Sequence, residues 1–537
     1  MHHHVDRNMF RRALPALMML VLATPAMAAD LPQDGEAVKE AGHPGCEGIG
    51  AKACVQRAID AMGGSQRLAG IHSASYEAIG HSVLAEQSYR QKPFITSYER
   101  QKVTVDFDHR RLVRDVHLTW PEADPHAAEF DTTLVATPQG GVYRTGQGQS
   151  PCSLADIEKT GDTLALGPER LLLNAAAAAD LHYAPSQWLR ATKHSVVEFT
   201  WQGSPVKVLL NAYNHLPDAL ERTRTFKDFW YAWGDVDQRI YFDNWRLVQG
   251  VEFPTNRVDW RNGVWYASTQ LIGPAFNGAI DAKKFAMDAA TAAKSAQSVG
   301  WNREFNDNKR VVLAPGIELY QGAWNTTLVK QDDGVLVLEA PISGSYVRGV
   351  LAKAHSEYPG VPIKAVLSTS DSWPHIAGVR EAVAEGVPVY VLDLNKPLLD
   401  RLVDAPHHLQ PDDLQSHPKA AHWMVVGDHL EVGKGANRVV LYPLRGASTE
   451  RQYMVYFPQQ KLLYASDTLA FNEDHTLYDP ELMYEVMQAV VREHLRVDTV
   501  YAMHQGPTPW ADVRRLIDEA MRPPAAGKVP GPRPAGA

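Results

Sequence analysis

Several features common in proteins of this length are scarce or absent from the 537-residue sequence. It has three cysteines, Cys46, Cys54 and Cys152, and no C-x-x-C pair. A cysteine-rich zinc site and a thioredoxin-like redox centre therefore have no support. Basic residues are not in excess, since the formal net charge is −9, and this disfavours a nucleic-acid-binding protein. No internal repeat is visible, and the length favours two or three ordinary globular domains.

Long apolar runs are also missing, except for one near the N-terminus. Two arginines precede an apolar run over residues 14–22, and the small residues Ala26 and Ala28 follow it. This order is typical of a secretory signal peptide, which we place at residues 1–28. The run is too short to cross a membrane. We therefore expect an exported, periplasmic protein with no transmembrane segment in the mature chain.

An exported protein is free to form disulfides. Cys46 and Cys54 flank a glycine-containing turn before a predicted helix, and they are candidates for a disulfide that leaves Cys152 as an odd thiol. Three free cysteines are the alternative. The sequence does not determine the oligomeric state.

The patterning along the chain changes twice. After a loose polar leader, short alternating stretches of β-branched or aromatic and polar residues predict an antiparallel β domain. An alanine-rich connector helix follows, and then strands and helices alternate, which is typical of sheet layers flanked by helices. The predicted segments are the leader (29–50), the β domain (51–275), the connector (276–305), the mixed α and β domain (306–521) and a disordered tail rich in proline and glycine (522–537).

In the mixed domain, polar residues follow directly after predicted strands. Residues 370–375 follow "KAVLST", Asp467 follows "KLLYAS", and His504 follows "VDTVYAM". Loops at strand ends gather into binding sites. If these strands are neighbours, the three groups converge.

These stretches, in this order, resemble the metallo-β-lactamase fold superfamily over residues 310–520. "PGIELYQG" and "DDGVLVLEAP" look like its opening strands, and "PGVPIKAVLST" with "HIAGVREAVAEG" looks like its central strand, metal loop and helix. "YFPQQKLLYASD" and "VDTVYAMHQG" look like the later strands that carry an aspartate and a histidine. The resemblance implies an αββα sandwich, a metallo-hydrolase activity and one or two zinc ions.

The metal loop of that superfamily normally reads H-x-H-x-D-H. Three of its ligand positions are replaced here, by Ser370, Ser372 and Pro374, and Ser448 stands where a further histidine is expected. Serine is a poor zinc ligand beside imidazole or carboxylate. The resemblance leaves His375, Asp467 and His504 as ligands for one ion at most.

Three interpretations of this site stay open. One is a metal-free, vestigial site in a non-catalytic or weakly active family member, a pseudoenzyme. The second is a one-metal hydrolase in which His375, Asp467 and His504 hold a zinc or another divalent ion with a bound water. The third is metal-free catalysis by Ser370, Ser372 or Ser448 beside His375. The three other histidines at 407, 408 and 417 are predicted to lie in a solvated loop.

The β domain is similar to the outer-membrane lipoprotein carrier fold. "AMGGSQRLAGIHSASYEAIG" and "YFDNWRLVQGVEFPTNRV" carry this likeness. It implies a β half-barrel over helices with an apolar concavity, and hence a small-molecule or lipid-like ligand. The alternative is a β domain that only supports its neighbour. The fold class expected for the whole chain is α+β in two domains.

Overall fold

The computed structural model describes residues 42–84, 94–120 and 128–522. The signal peptide predicted at residues 1–28, most of the leader and nearly all of the tail lie outside these residues. Within the described ranges, no helix is long and apolar enough to cross a membrane. The predicted α+β class is confirmed, because large antiparallel sheets combine with helices.

The first half of the described chain forms one antiparallel sheet of thirteen strands. Its order is β6-β5-β4-β3-β2-β1-β13-β12-β11-β10-β9-β8-β7, so the first and last strands meet in the middle. The strands are β1 (Ser73–Val83), β2 (Thr96–Asp106), β3 (Arg111–Trp120), β4 (Ala128–Thr137), β5 (Gly140–Thr145), β6 (Gly148–Pro151), β7 (His182–Leu189), β8 (Thr192–Trp201), β9 (Ser204–Asn211), β10 (Pro217–Arg224), β11 (Val236–Val248), β12 (Val251–Arg261) and β13 (Val264–Phe276).

Four helices lie against one face of this sheet. They are α1 (Ala51–Ala61), α2 (Ser65–Ala69), α3 (Leu154–Leu166) and α4 (Leu171–Ala177). Leu134 of β4 and Phe199 of β8 belong to the same buried cluster as these helices. Because strands from both ends of the sheet contact one set of helices, the sheet curves around them. Gly63 and Gly64 end α1 with positive φ angles, as the sequence predicts.

The alanine-rich segment after the sheet packs onto the sheet's other face. It contains a 3-10 helix (Ala282–Phe285) and α5 (Ala289–Ala296). Phe285 and Ala292 are buried against Val113, Val135 and Val142. This predicted connector is therefore held by an apolar contact over part of its length.

The second half of the described chain contains two sheets. Seven strands form the first, namely β14 (Arg310–Ala314), β15 (Ile317–Tyr320), β16 (Thr326–Gln331), β17 (Gly334–Leu338), β18 (Ile363–Ser368), β19 (Val389–Leu392) and β20 (Trp423–Val426). Six form the second, namely β21 (Leu430–Val432), β22 (Val439–Pro443), β23 (Tyr453–Phe457), β24 (Leu462–Tyr464), β25 (Thr499–Tyr501) and β26 (Thr508–Pro509). Strands β17 to β20 are parallel, as are β24 and β25.

Three apolar clusters separate four layers. The cluster between the two sheets draws residues from both, such as Leu338 and Tyr464. A second cluster joins the seven-stranded sheet to its helices, and a third joins the six-stranded sheet to α11 and α12. The helices are α6 (Gly344–Glu357), α7 (Trp373–Ile376), α8 (Val379–Glu385), α9 (Lys396–Asp404), α10 (Asp413–Ser416), α11 (Pro480–Arg492) and α12 (Trp510–Ala520). The order helix, sheet, sheet, helix is the predicted αββα sandwich.

The curved sheet and the sandwich share one of these clusters. A 3-10 helix between β10 and β11, Phe229–Trp233, brings Trp230 and Trp233 against sandwich residues such as Trp373. The Tyr231 hydroxyl donates to the Ile342 carbonyl, and the Asp235 N–H donates to the Pro406 carbonyl at 2.8 Å. The predicted boundary at residues 276–305 is therefore crossed by a buried contact between distant parts of the chain.

Candidate functional site

Three predicted site residues come together at the ends of three strands. His375 lies in α7, after the turn that follows β18 in the seven-stranded sheet. Asp467 and His504 follow β24 and β25, which are parallel neighbours in the six-stranded sheet. The site therefore sits where the two sheets of the sandwich meet, as the placement of these residues after strands predicts.

Both histidines direct the Nε2 atom at the Asp467 carboxylate. His504 Nε2 lies 3.2 Å from Asp467 Oδ1, and His375 Nε2 lies 3.5 Å from Asp467 Oδ2. One ligand atom from each residue lies within 4.8 Å of the other two. The side chains are 3% exposed for His375, 16% for Asp467 and 34% for His504. Solvent thus reaches this group from the His504 side.

The other nitrogens of the two rings differ in their surroundings. His504 Nδ1 lies 2.9 Å from the Ala323 carbonyl oxygen, which can only accept. Nδ1 therefore carries the proton, and Nε2 of a neutral ring presents its lone pair to the carboxylate. Two electron-rich atoms at this distance require a proton or a cation between them. His375 Nδ1 is buried with no hydrogen-bond partner among the described residues.

Burial and charge shift the three groups in different directions. Burial lowers the pKa of His375 to about 4, and the Asp467 charge only partly opposes it. Burial also opposes the charged form of His504, but the hydrogen bond and charge of Asp467 outweigh it and raise that pKa. In Asp467, both histidines outweigh burial and lower the pKa. Without a metal, these shifts favour the carboxylate form of Asp467, the protonated form of His504 and the neutral form of His375.

A buried polar network lies beneath this group. Glu339, which follows β17, accepts from the Thr369 hydroxyl and from the Tyr464 hydroxyl at 3.0 Å. Thr369 Oγ1 lies 2.7 Å from Ser466 Oγ, next to Asp467 in the chain. Burial raises the pKa of Glu339 to about 7, and the Asp467 charge adds to that effect. The network joins the turn after β18 to the turn after β24 and so fixes their spacing.

Backbone strain marks the same place. Glu339, Ile342 and Ser466 have φ angles of 74°, 70° and 58° without being glycine. Such conformations cost about 1–3 kcal/mol each and are found where the surrounding structure imposes them. Three of the sixteen non-glycine residues with positive φ among the described residues therefore lie in the turns around the site.

The four positions that the resemblance predicts as replaced ligands take part in hydrogen bonds that involve the backbone. Ser370 Oγ accepts from the Ser372 N–H at 3.2 Å, and the Pro374 carbonyl accepts from the Ile342 N–H at 2.7 Å. Ser370, Ser372 and Pro374 are all buried in the turn that carries His375. The Ser448 N–H donates to the Glu485 carboxylate at 3.1 and 3.2 Å.

Aromatic rings enclose the group. Trp324 lies beside both histidines, with ring centroids 6.5 Å from His375 and 5.9 Å from His504. Trp373, two residues before His375, packs edge-on against Trp230 at 4.9 Å and Trp233 at 5.1 Å. The 3-10 helix of the curved sheet therefore covers the back of the turn that carries His375.

Sequence reasoning missed several residues that define this site. The sequence could have indicated Glu339, because an acidic residue at the end of an otherwise apolar run is unusual. Gln452, whose side-chain oxygen accepts from the Asp467 N–H at 3.1 Å, had none. Neither the Ala323 carbonyl nor the two tryptophans at 230 and 324 had a signal, because their roles depend on contacts between distant parts of the chain.

The donor set fits one metal ion and not two. Two imidazole nitrogens and a carboxylate are a common three-ligand set for a catalytic zinc. The Ala323 carbonyl accepts from His504 Nδ1 and so fixes the orientation of the ring, as hydrogen-bond acceptors commonly do for metal-bound histidines. The resemblance predicts the ligands of a second ion at Ser370, Ser372 and Ser448, and hydroxyls are weak zinc ligands.

The sequence matches no protein-family model and no curated protein. Solved structures that match include the metallo-β-lactamase DIM-1, with 13% identity, coverage of 41% of this chain and 100% of that chain, and a TM-score of 0.32. A metallo-β-lactamase from Pontibacter korlensis matches with 15% identity, coverage of 39% and 97%, and a TM-score of 0.30. The sec-alkylsulfatase Pisa1 from Pseudomonas sp. matches with 14% identity, coverage of 39% and 40%, and a TM-score of 0.29.

Proposed function

We propose that this chain, whose sandwich is similar to the metallo-β-lactamase fold, is a hydrolase that uses a single divalent metal ion. His375, Asp467 and His504 would hold the ion. This proposal is supported by the arrangement of His375 and His504, whose Nε2 atoms both point at the Asp467 carboxylate. The Ala323 carbonyl fixes the tautomer of His504. When bound, a divalent ion supplies Lewis acidity and lowers the pKa of water, which hydrolysis of an ester or amide requires.

The chain's own residues define how a substrate approaches. His375 is closed off on the buried side, whereas His504 is partly exposed. A substrate therefore enters over His504 and Trp324. The indole of Trp324 offers an apolar surface beside both imidazoles, and it keeps bulk water from one side of the ligand group.

A metal-free site in a depleted, non-catalytic family member is the second candidate. The raised pKa of His504 supports it, because an imidazolium closes an ion pair with Asp467 without any metal. The replacements at Ser370, Ser372, Pro374 and Ser448 agree with it. On this interpretation the turn keeps its shape through hydrogen bonds within the protein, such as those of Ser370 and Pro374.

Elemental analysis separates the two candidates. We expect about one zinc, iron or manganese ion per chain after metal-supplemented expression, and none in His504→Ala. His422→Ala, which removes an exposed histidine of the same sandwich, is the matched control and should keep the ion. A metal-free wild-type protein would end the one-metal proposal, as would a His504→Ala variant that retains the ion. Hydrolysis of chromogenic esters and amides should then follow metal content.

We also propose that the chain is exported after cleavage of residues 1–28, and that 51–275 and 306–521 are its two domains. The disulfide between Cys46 and Cys54, with Cα atoms 5.5 Å apart, supports an oxidising compartment. Cys152 is a buried free thiol. Intact-mass analysis of periplasmic protein should give a chain that begins at Ala29, and a mass that includes residues 1–28 would contradict export.

A further inference from the structure

A cavity of about 520 Å³ lies between α3 and the concave face of the curved sheet. Its volume lies in the range of small-molecule sites. Part of its wall is apolar, with side chains that also belong to the buried core, namely Val103, Leu112, Leu134, Leu220, Phe242 and Leu271. The carrier resemblance implies an apolar concavity, but this cavity also contains many charges.

Most of those charges cancel within the wall. Arg222 and Arg224 share Asp162, and Arg224 also pairs with Glu158. Another arginine, Arg261, contacts two further carboxylates, those of Asp228 and Asp259. These pairs satisfy both partners, so they leave no demand for a charged ligand.

Arg257 on β12 is not paired in this way. Its Nε and Nη2 atoms are buried and have no hydrogen-bond partner among the described residues. Within those residues, no carboxylate oxygen lies within 4.0 Å of its nitrogens. A buried guanidinium whose N–H groups stay unmatched is costly, and arginine is rarely left so unless a ligand or water completes it.

Two more donors without partners line the same cavity. Arg114 on β3 donates a hydrogen bond from Nη2 to the Asp156 carboxylate at 3.1 Å. Its buried Nε has no hydrogen-bond partner among the described residues. The Thr160 hydroxyl on α3 is also buried and without a partner. The three residues come from two parts of the sheet and from the helix above it, so the cavity gathers donors from several sides.

The strand register places Arg114 in line with a partly buried tyrosine of the cavity wall. Tyr76 on β1 pairs with Val103 on β2, which pairs with Arg114 on β3. Burial raises the pKa of Tyr76, while the charge of Arg257, the charge of Arg114 and a hydrogen bond from Arg257 oppose this and Glu169 adds to it. The Tyr76 hydroxyl is therefore within electrostatic reach of both guanidinium groups.

Lys159 adds a further positive charge to this wall. Its pKa is lowered, first by the Arg114 charge and then by burial, while Glu99 and Asp156 act in the opposite direction. A lysine pushed toward neutrality by a neighbouring arginine indicates a local excess of positive charge, which an anion relieves.

We propose that this cavity binds an amphiphile whose single anionic head group is held by Arg257, with Arg114 and Thr160 as further donors, and whose apolar chain lies along the leucine-lined wall. Carboxylate, sulfate and phosphate heads share this chemistry, since each accepts several N–H groups from a planar guanidinium. The proposal is independent of the metal site.

Calorimetric titration of the full chain tests it with four probes. Dodecanoate, dodecyl phosphate, dodecanol and inorganic phosphate separate the head group from the chain. We expect at least one of the two anionic amphiphiles to bind at least about tenfold more tightly than dodecanol, and inorganic phosphate alone to bind weakly. The better of the two anions identifies the head group. Binding of dodecanol as tight as that of both anions would overturn the proposal, as would the absence of binding by either anion.

Arg257→Gln removes the unmatched charge and should weaken the anionic amphiphile by about tenfold or more, with dodecanol unaffected. Arg246→Gln removes an exposed arginine from the neighbouring strand β11 and should change nothing. Unchanged affinity in Arg257→Gln would overturn the assignment. If that variant does not fold, the comparison of anion with alcohol on the wild-type protein still decides the question.

Discussion

The indole of Trp230 stands edge-on to the indole of Trp373, with ring centroids 4.9 Å apart and ring planes at 88°. Trp230 comes from the curved sheet's 3-10 helix, and Trp373 comes from the turn that carries His375. Edge-to-face pairs of this kind add about 0.5–1.5 kcal/mol beyond the area that they bury. This contact couples the curved sheet to the candidate metal site.

Trp230→Ala should therefore weaken metal binding although no ligand is changed. Trp230 is 5% exposed, and its truncation should cost about 3–5 kcal/mol of unfolding free energy. The turn that carries His375 loses its backing, so zinc should be lost to a competing chelator at a lower chelator concentration. Trp260→Ala, at a position that is 37% exposed, is the control for tryptophan loss. Equal zinc affinity in the wild type and Trp230→Ala would show that the contact only stabilises the fold.

Zinc should stabilise the wild-type protein and leave His504→Ala unchanged. A ligand that binds only the folded state, at a free concentration a hundredfold above its Kd, raises the unfolding free energy by about 2.7 kcal/mol. Thermal unfolding with and without zinc, followed by addition of a chelator, measures this. The increase should be reversed by the chelator and should persist in His422→Ala. A similar increase in His504→Ala would place the ion elsewhere.

Glu339 should tolerate an amide but not a truncation. Its pKa of about 7 means that the carboxyl is partly protonated near neutral pH. The oxygen of a glutamine can accept from the Thr369 and Tyr464 hydroxyls, so that only the long contact with the Thr369 N–H, at 3.4 Å, is lost. Glu339→Gln should change the unfolding free energy by less than about 1 kcal/mol, whereas Glu339→Ala should lose about 2–4 kcal/mol. Urea unfolding at pH 6 compares them. Equal losses in the two variants would mean that the charge of Glu339 matters more than its hydrogen bonds.

Gly234 cannot be replaced without strain. It follows the 3-10 helix with φ 63° and ψ −110°, and an added Cβ would lie 2.4 Å from the His407 ring and 2.5 Å from the Pro406 carbonyl oxygen. Gly234→Ala should cost about 2 kcal/mol or more in thermal unfolding. Gly263→Ala, at φ 72° with open space around it, should cost only about 1 kcal/mol. Equal costs would show that backbone conformation alone matters.

Acid should destabilise the fold partly through His407. Burial lowers its pKa to about 4, and the nearby Arg380 charge adds to this, while its side chain is 12% exposed. An unfolded histidine has a pKa of about 6.5, so below that pH the unfolded chain takes up a proton that the folded chain refuses. Stability should be unaffected above pH 6.5 and should fall by up to about 3 kcal/mol as the pH drops toward 4. Unfolding of His407→Gln should show a shallower acid slope, and parallel curves would contradict this.

The sequence predicted that the three site residues follow strands, but not the contacts that complete the site. His375, Asp467 and His504 each follow a strand, and strand patterns depend on local alternation, which the sequence displays directly. Glu339 and Ala323 contact Tyr464 and His504 through hydrogen bonds between segments that lie far apart in the chain. No local pattern encodes such a contact.

Two further differences have the same origin. His407 stands in a polar stretch and is predicted to be solvated, but Gly234 and Arg380 pack against it and bury most of its ring. This prediction is wrong because tertiary packing outweighs local polarity. The charged cavity of the curved sheet could not be predicted either. Its arginines meet their carboxylate partners only after ten or more strands of the sheet have formed.

The order of strands in the curved sheet has a consequence for biogenesis. Strand β1 lies in the centre of the sheet and pairs with β13. Ala74 can therefore pair with Phe276 only after all thirteen strands have been synthesised. A ribosome that has made β1 to β12 has produced two half-sheets whose inner edges are both open. Such open edges invite pairing with other chains. A nascent chain stalled before residue 264 therefore exposes both open edges, and this is the form that we expect chaperones to bind.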